Sequence, residues 1–581
     1  MRLISKTRFQ QDEEYAMFRR KDPQGSLFET SNLLPDEKRE RLLNTLAHPF
    51  RNQAVPLIDE EAFRDLFCAD NGRPNKPVQT VIGTLILKDI WDLTDADALY
   101  RLDFDMGWHH ALRLLPEEAH CCQKTLHNFR VKLIANDRAQ QLFADMTDRI
   151  IGVLGIHTDK QRLDSTHILS NIAILTRLGL FCETIRVFLH DVRRTLPEQW
   201  AGIPSGLRGR YLKDDGADTN YDDAPKQEAR RRLAVAARDL WRLCERFRGD
   251  GPAAKLESYG LLQRLLAEQC EVIDTAAQPA ADDADHNEEP VPVQIKENRQ
   301  VAAASLQSPH DPDATYGHKG KGYEVQVAET CGNDDKPEII TYVAVTAAAG
   351  SDATQTMPVV QALAERGLQP KELFADTTYG GTDNVIECAA LGTELVSPVA
   401  GPKMAAEATS APAPATPAEP ETEPMAVANC QTIAEPTVVA ATATPAEPNM
   451  EPTGAATPSV EAATAPAANC GIEQQAESKS PNAPTKHKTA KAKLLDERRR
   501  YQATPEFRAR YATRAGIEAT NSELKRQHGL GQLRVRGGAR LRLAVYFKAL
   551  ACNVKRMLHY VVERARKAVE TSAAEVEMGL A

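Results

Sequence analysis

Residues 372–381 read Glu-Leu-Phe-Ala-Asp-Thr-Thr-Tyr-Gly-Gly. Glu372 to Ala375 predicts a short strand, and Asp376 closes its apolar run where Thr-Thr-Tyr-Gly-Gly turns the chain away. Ligands and metals gather at such strand ends in open α/β sheets, although an Asp there also serves as a turn former or helix cap. Working outward, Asp352 to Arg366 and Thr382 to Leu391 predict helices, and Glu394 to Val396 a strand. Tyr323 to Val327 and Ile339 to Val345 are β-branched or alternating runs and predict two more strands. Gln161 to His167 is a further strand candidate. It places Asp164 comparably to Asp376, with Ser165 and Thr166 able to hydrogen-bond around it.

Between Asp164 and these later strands lie helical stretches, Ile168 through Leu189 and Glu228 to Ile273, and an acidic, proline-bearing loop from Thr275 to Asn298. Gly401 to Thr485 then breaks every pattern, with 14 prolines and no Phe, Trp or Tyr. Ala-Thr-Pro-Ala-Glu-Pro occurs there at 415–420 and again at 443–448. Such composition buries too little apolar surface to offset the entropy of ordering, which predicts a disordered tether. Pro505 to Arg526 and Leu541 to Arg566 predict helices. They are joined by the glycine- and arginine-rich connection Gly529 to Gly538.

Residues 1–150 read as helical. Pro77 opens a helix carrying Val78, Val81, Ile82, Leu85 and Ile86, and Thr125 caps one carrying Leu126, Phe129 and Leu133. With the two interruptions removed, the order β-β-β-α-β-α-β-α resembles the ribonuclease-H-like fold of polynucleotidyl transferases. The expected class is therefore α/β, a mixed-sheet core with a helical insertion at about 168–300, preceded by an all-helical N-terminal domain. Its expected divisions are 1–150, 151–400, the tether 401–485, a basic helical part 486–569 that completes the core, and a tail 570–581.

At about 100–200 residues per domain, a chain of 581 residues suits several domains. The net charge of −10 conceals a split. Lys486 to Val569 holds 22 Lys plus Arg against 6 Asp plus Glu, a balance of +16, whereas Gly401 to Thr485 holds 2 against 10, or −8. A basic block on an acidic chain is the footprint of a polyanion partner, usually nucleic acid. The 11 cysteines are scattered without a Cys-x-x-Cys pair, which predicts reduced thiols and no zinc site. No apolar run is long enough for a membrane span or signal core, so the expectation is a cytoplasmic, nucleoid-associated protein with no membrane partner.

If Pro505 to Arg526 is one helix, Tyr511, Arg514, Glu518 and Lys525 fall within about 60° of one another on its wheel, with Glu523 turned away. That stripe serves either as a salt-bridged surface face, since Arg514 and Glu518 are an i, i+4 pair, or as a site. The pattern Tyr-x2-Arg-x3-Glu-x6-Lys is similar to the signature around the catalytic glutamate in a large group of bacterial insertion-sequence DDE transposases. Asp164 in Leu-Asp-Ser-Thr and Asp376 in Ala-Asp-Thr-Thr-Tyr-Gly resemble that family's first and second aspartates. Gly72 through Leu112 resembles its helical N-terminal module.

The resemblance implies a transposase that binds the inverted-repeat ends of its element, cuts there and joins the 3′-OH to target DNA. Asp164, Asp376 and Glu518 would hold two Mg²⁺ ions, with Mn²⁺ as a substitute, and Mg²⁺ suits such oxygen ligands. Tyr511, Arg514 and Lys525 would position and grip the strand in a homodimer or larger synaptic complex. Arg534, Arg536, Arg540 and Arg542 read as phosphate contacts. Arg73, Lys76, Lys124, Arg130 and Lys132 read either as DNA contacts or as a solvated face. His310-Asp311-Pro312-Asp313 reads as a turn. Trp200 and Trp241 read as packing residues or as a wedge for an unpaired base. Two other functions fit the chain: a defective or domesticated DNA-binding protein, and a ribonuclease-H-like nuclease without strand transfer.

Overall fold

The computed structural model describes residues 18–22, 28–68, 74–212, 222, 225–249, 251–273, 292–401 and 486–579. The described residues 18–401 and 491–579 belong to one compact unit. Of the expected tether only Gly401 is described, and Arg73 also lies outside the described residues.

The strands among the described residues are β1 (Lys160–Ile168), β2 (Cys270–Val272), β3 (Val293–Ile295), β4 (Thr315–Gly317), β5 (Gly320–Thr330), β6 (Ile340–Ala347), β7 (Glu372–Ala375) and β8 (Glu394–Val396). β5 is antiparallel to both β1 and β6, whereas β7 is parallel to β1 and β8 is parallel to β7. The resulting order β6-β5-β1-β7-β8 makes a mixed sheet with an N-terminal helical region beside it, consistent with a ribonuclease-H-like core. β2 and β3 form a separate antiparallel pair in the insertion.

One continuous apolar core joins three parts of the sequence. Ile82 and Ile86 come from helix Val78–Ile90, Leu163, Val325 and Val343 from the sheet, and Leu550, Val554 and Leu558 from helix Gly538–Gly579. The insertion has its own core, built on Phe181, Phe188, Leu240, Tyr259 and Leu262.

Several expected elements have different limits. The helix expected from Ile168 begins only at Arg177, capped by Thr176, whose hydroxyl accepts from Gly179 N at 3.0 Å. Residues 169–171 are occupied elsewhere: Leu169 N donates to Gly531 O at 3.0 Å, Leu533 N to Leu169 O at 2.8 Å and Asn171 N to Val535 O at 3.0 Å. The stretch Glu228 to Ile273 divides into helices Lys226–Arg246 and Glu257–Gln269, followed by β2. Thr125 does not cap its helix, which starts two residues earlier, at Gln123.

Candidate active site

The register of two parallel strands brings the aspartates together. β1 and β7 pair up to Leu163↔Ala375, so Asp164 and Asp376 are each one residue past that pair, on neighbouring strands. Adjacent strands are about 4.8 Å apart. Asp164 is thus inside β1, which continues to Ile168 against β5, and the edge it occupies is the one where β7 leaves. Asp376 is held by the turn that follows it: its Oδ1 accepts from Thr378 N at 2.8 Å, and its carbonyl accepts from Ser397 Oγ at 2.6 Å. Gly380 is needed beneath this turn, because a β carbon there would lie 2.1 Å from Ser397 Oγ.

Glu518 arrives on helix Ile517–Arg526. The expected continuous helix is in fact helix Pro505–Tyr511, a 3-10 turn Ala512–Gly516, and this second helix. The break has a cause. Arg162, from β1, donates to Thr513 O at 3.0 Å, and a β carbon on Gly516 would fall 1.9 Å from its Nη1. A single helical wheel therefore does not describe these residues. Even so, Asp164, Asp376, Arg514, Glu518 and Lys525 line one cleft of about 520 Å³, with Ser165, Thr166, His167, Lys319, Asn521, Ser522 and Arg526. Tyr511 lies beside it, stacked on Phe507 at 5.5 Å. Its phenol is raised by burial, and the charges of Asp376 and Asp164 raise it further against Arg514.

Arg514 bridges two of the three carboxylates, with Nη2 3.0 Å from Asp164 Oδ1 and Nη1 3.2 Å from Glu518 Oε1. Asn521 Nδ2 donates to Asp164 Oδ2 at 3.2 Å. Burial lifts the Asp164 carboxyl above the usual range; Arg514 and the Ser165 backbone oppose this, and the charges of Glu518 and Asp376 add to it. Asp164, Asp376 and Glu518 line the cleft, two of them bridged by Arg514; their ligand atoms do not all lie within 4.8 Å of one another, but the donors are all oxygen, the type that suits a hard divalent cation such as Mg²⁺.

Behind the cleft, a second network fixes the helix that bears Glu518. Glu329 is fully buried; it takes Arg162 Nε at 2.8 Å, Thr520 Oγ1 at 2.6 Å and Arg556 Nη1 at 3.1 Å. Glu523 was expected to be a bystander, but its Oε2 takes Arg556 Nη2 at 2.8 Å and Nε at 3.0 Å. Glu523, His528 and Cys552 are the group among the described residues whose ligand atoms all approach within 4.8 Å. Arg556 already supplies the cation there, and burial pushes the Cys552 thiol up to about 12.

The other nominated basic residues are not brought to the cleft. Arg534 pairs with Asp92 at 2.8 Å, and Arg536 Nε donates to Asn171 O. Lys548 also reaches Asp92, at 2.9 Å; burial works against the Asp92 carboxyl, but Lys548 and Arg534 hold it below the usual range. Lys76 donates to Glu118 O at 3.0 Å, Arg130 makes a two-pronged pair with Asp95, and Lys132 donates to Leu66 O at 2.7 Å. Lys124, Arg540 and Arg542 are exposed. In the His310–Asp313 turn, Asp311 accepts from Tyr323 OH at 2.6 Å and Asp313 from Gly538 N at 3.0 Å. Trp200 packs under Arg208, 4.8 Å away, and Trp241 is half-buried.

Sequence reasoning missed Arg162, Glu329, Asn521, His167 and Lys319. For Arg162, two residues before Asp164 and on the same strand face, a period-2 pattern was the available signal. Nothing local marks Glu329.

Comparison with known proteins gives two partial matches. Residues 459–558 match the model described as Transposase DDE domain, a stretch that holds Glu518 but neither aspartate. Residues 30–132 match Transposase domain (DUF772). No curated protein and no solved structure matches the chain. No helix among the described residues is long and apolar enough to cross a membrane. The chain is thus similar over one stretch to a transposase DDE domain and over another to a second transposase domain, and the DDE domain implies DNA binding, polynucleotidyl transferase activity and dependence on a divalent metal.

Proposed function

We propose that this chain is a transposase that binds the terminal inverted repeats of its own insertion sequence, cuts DNA there and transfers the 3′ ends to target DNA. Asp164, Asp376 and Glu518 are the metal ligands of this reading. The observation that carries it is their convergence on one cleft from two neighbouring strands and a helix far along the chain. Two Mg²⁺ ions, or Mn²⁺ in their place, would supply activation of the attacking oxygen and stabilisation of the leaving one.

The chain's own groups do the rest. Arg514 balances Asp164 and Glu518 while no DNA is bound, and its guanidinium geometry suits a phosphate equally well. Asn521 orients the Asp164 carboxylate by donating to the oxygen that Arg514 leaves free. Lys525 and Tyr511 border the strand. Arg534, Arg536, Arg540, Arg73 and Lys76 remain candidates for further backbone contacts. The functional form is a homodimer or a larger synaptic assembly.

The test is a strand-joining assay with Mg²⁺ on linear DNA bearing the element's ends. The wild-type chain should yield joined products. Asp164→Asn, Asp376→Asn and Glu518→Gln should each abolish cleavage and leave end binding nearly intact. Cleavage without joining would favour a nuclease, and surviving cleavage in any variant would remove that residue from the site.

A further inference from the structure

A tight hairpin carries Lys319 to the cleft. β4 and β5 pair as Thr315↔Gly322, Tyr316↔Lys321 and Gly317↔Gly320, which leaves His318 and Lys319 as a two-residue loop. Close approach fixes it in place. A β carbon on Gly317 would lie 2.0 Å from Ala348 O, and one on Gly322, whose φ is +137°, would lie 2.4 Å from Ile168 O. Glycine is the residue that tolerates both. Thus held against the far end of β1, Lys319 makes only loose contacts: Nζ is 3.4 Å from Ser165 O and from Ser165 Oγ, and 3.8 Å from Glu324 Oε1.

Lys525 lines the same cleft from the helix side, with its stem against Gly531. It has no ion-pair partner among the described residues. Burial lowers its ammonium and the charge of Lys319 lowers it further, against Asp164 and Glu518. His167, the penultimate residue of β1, feels both lysines. Burial lowers its imidazole, a hydrogen bond with the Lys321 backbone opposes this, and the two ammonium charges add to the lowering. Its Nδ1 is buried without a hydrogen bond. The ammonium of Lys319 bears on Lys525, and both bear on His167, so positive charge gathers at this side of the cleft, and a phosphodiester is the anion that a DNA cleft offers.

We propose that Lys319 and Lys525, with His167 beside them, form a seat for one backbone phosphate of the DNA strand whose reacting bond lies at the three carboxylates. The seat rests on the reading of the cleft as a DNA site. It adds a grip from the sheet side, opposite the helix, that the Tyr-Arg-Glu-Lys stripe does not contain. Each phosphate contact made by a lysine releases condensed counterions, so its loss is visible in the salt dependence of binding.

The experiment titrates the full chain with a short fluorescent DNA duplex of arbitrary sequence over a salt series, without divalent metal. Lys319→Gln should lower the slope of log K against log salt, and Lys319→Gln with Lys525→Gln should lower it by about 0.9, the full loss of one phosphate contact. Lys319→Arg should keep the wild-type slope. A Lys319→Gln chain that melts lower but keeps the slope marks a purely structural lysine and overturns the seat. Wild-type chain that shows no salt-dependent binding refutes the DNA reading of the cleft itself, whereas normal wild-type binding with an unchanged variant slope refutes only the seat.

Discussion

Helix Ile517–Arg526 separates two acidic regions with opposite surroundings. On its cleft side, Glu518 is 63% exposed and joins Asp164 and Asp376, and Arg514 touches the first two. On its other side, Glu523 is 21% exposed and joins Glu329 against Arg162 and Arg556, with Thr520 adding a hydrogen bond. The rear group matches charge with charge and holds the helix to the sheet. The front group leaves carboxylates without closed pairing, and burial raises Asp164. Paired carboxylates build the frame, and the proposed function gives the underpaired ones a cation to hold.

Glu329→Gln should break this contrast most severely. It leaves Arg162 and Arg556 buried beside a neutral group, and the loss of one partner of a buried ion pair costs about 3–5 kcal/mol. Denaturant unfolding should show that loss together with reduced cleavage, because the helix bearing Glu518 loses its anchor. A stability within experimental error of wild type would mean that the rear network is not the frame.

Glu523→Gln tests the same network more gently. The sequence stripe alone would make it silent, yet it strips charge from a pair with Arg556, where hydrogen bonds to charged groups are worth about 1.5–3 kcal/mol. The variant should unfold earlier but keep its metal dependence. Lost cleavage at full stability would move Glu523 into the site.

Asp164→Asn probes the front group. A carboxyl raised in the folded state binds its proton more tightly there than in the unfolded chain, so the wild type loses stability as pH rises from the ordinary aspartate value through the raised one. Above that window the Asn variant should melt slightly higher than wild type, and the gap should close as pH falls. Added Mg²⁺ should raise the melting temperature of wild type alone. Melting curves over a pH series, with and without Mg²⁺, check both.

The smallest effect is expected at Arg534. Its side chain is 52% exposed in its pair with Asp92, so Arg534→Ala should change stability by at most about 1 kcal/mol. If the pair with Asp92 is its whole role, the salt slope of DNA binding stays as in wild type. A slope lowered by about 0.9 would make it a phosphate contact after all.

The two short strands, Glu372 to Ala375 and Glu394 to Val396, were legible to the residue because each is a brief apolar run set between helical periodicities. The pattern Tyr511, Arg514, Glu518 and Lys525 could be read as a candidate, since its spacing is local. Its geometry was not, because the 3-10 turn Ala512–Gly516 is shaped by Arg162, which lies hundreds of residues earlier. The glycine-rich connection was legible only in part for a related reason. Its glycines and arginines suit a nucleic acid, but Leu530 and Leu533 are also buried, and the backbone of residues 531–535 pairs with residues 169–171, just past β1.

Sequence by itself nominated Asp164, Asp376 and Glu518 and bounded the short strands beside them, because residue type, apolar period and motif spacing are local properties. Only the tertiary structure decided which carboxylates are spent on arginines and which converge on the cleft. Asp164 meets Asp376 through the register of β1 and β7, and Glu329 meets Arg556 through the docking of the last long helix. Charge compensation in a folded protein depends on distance in space, and that distance is set by packing between segments whose separation along the chain says nothing about it.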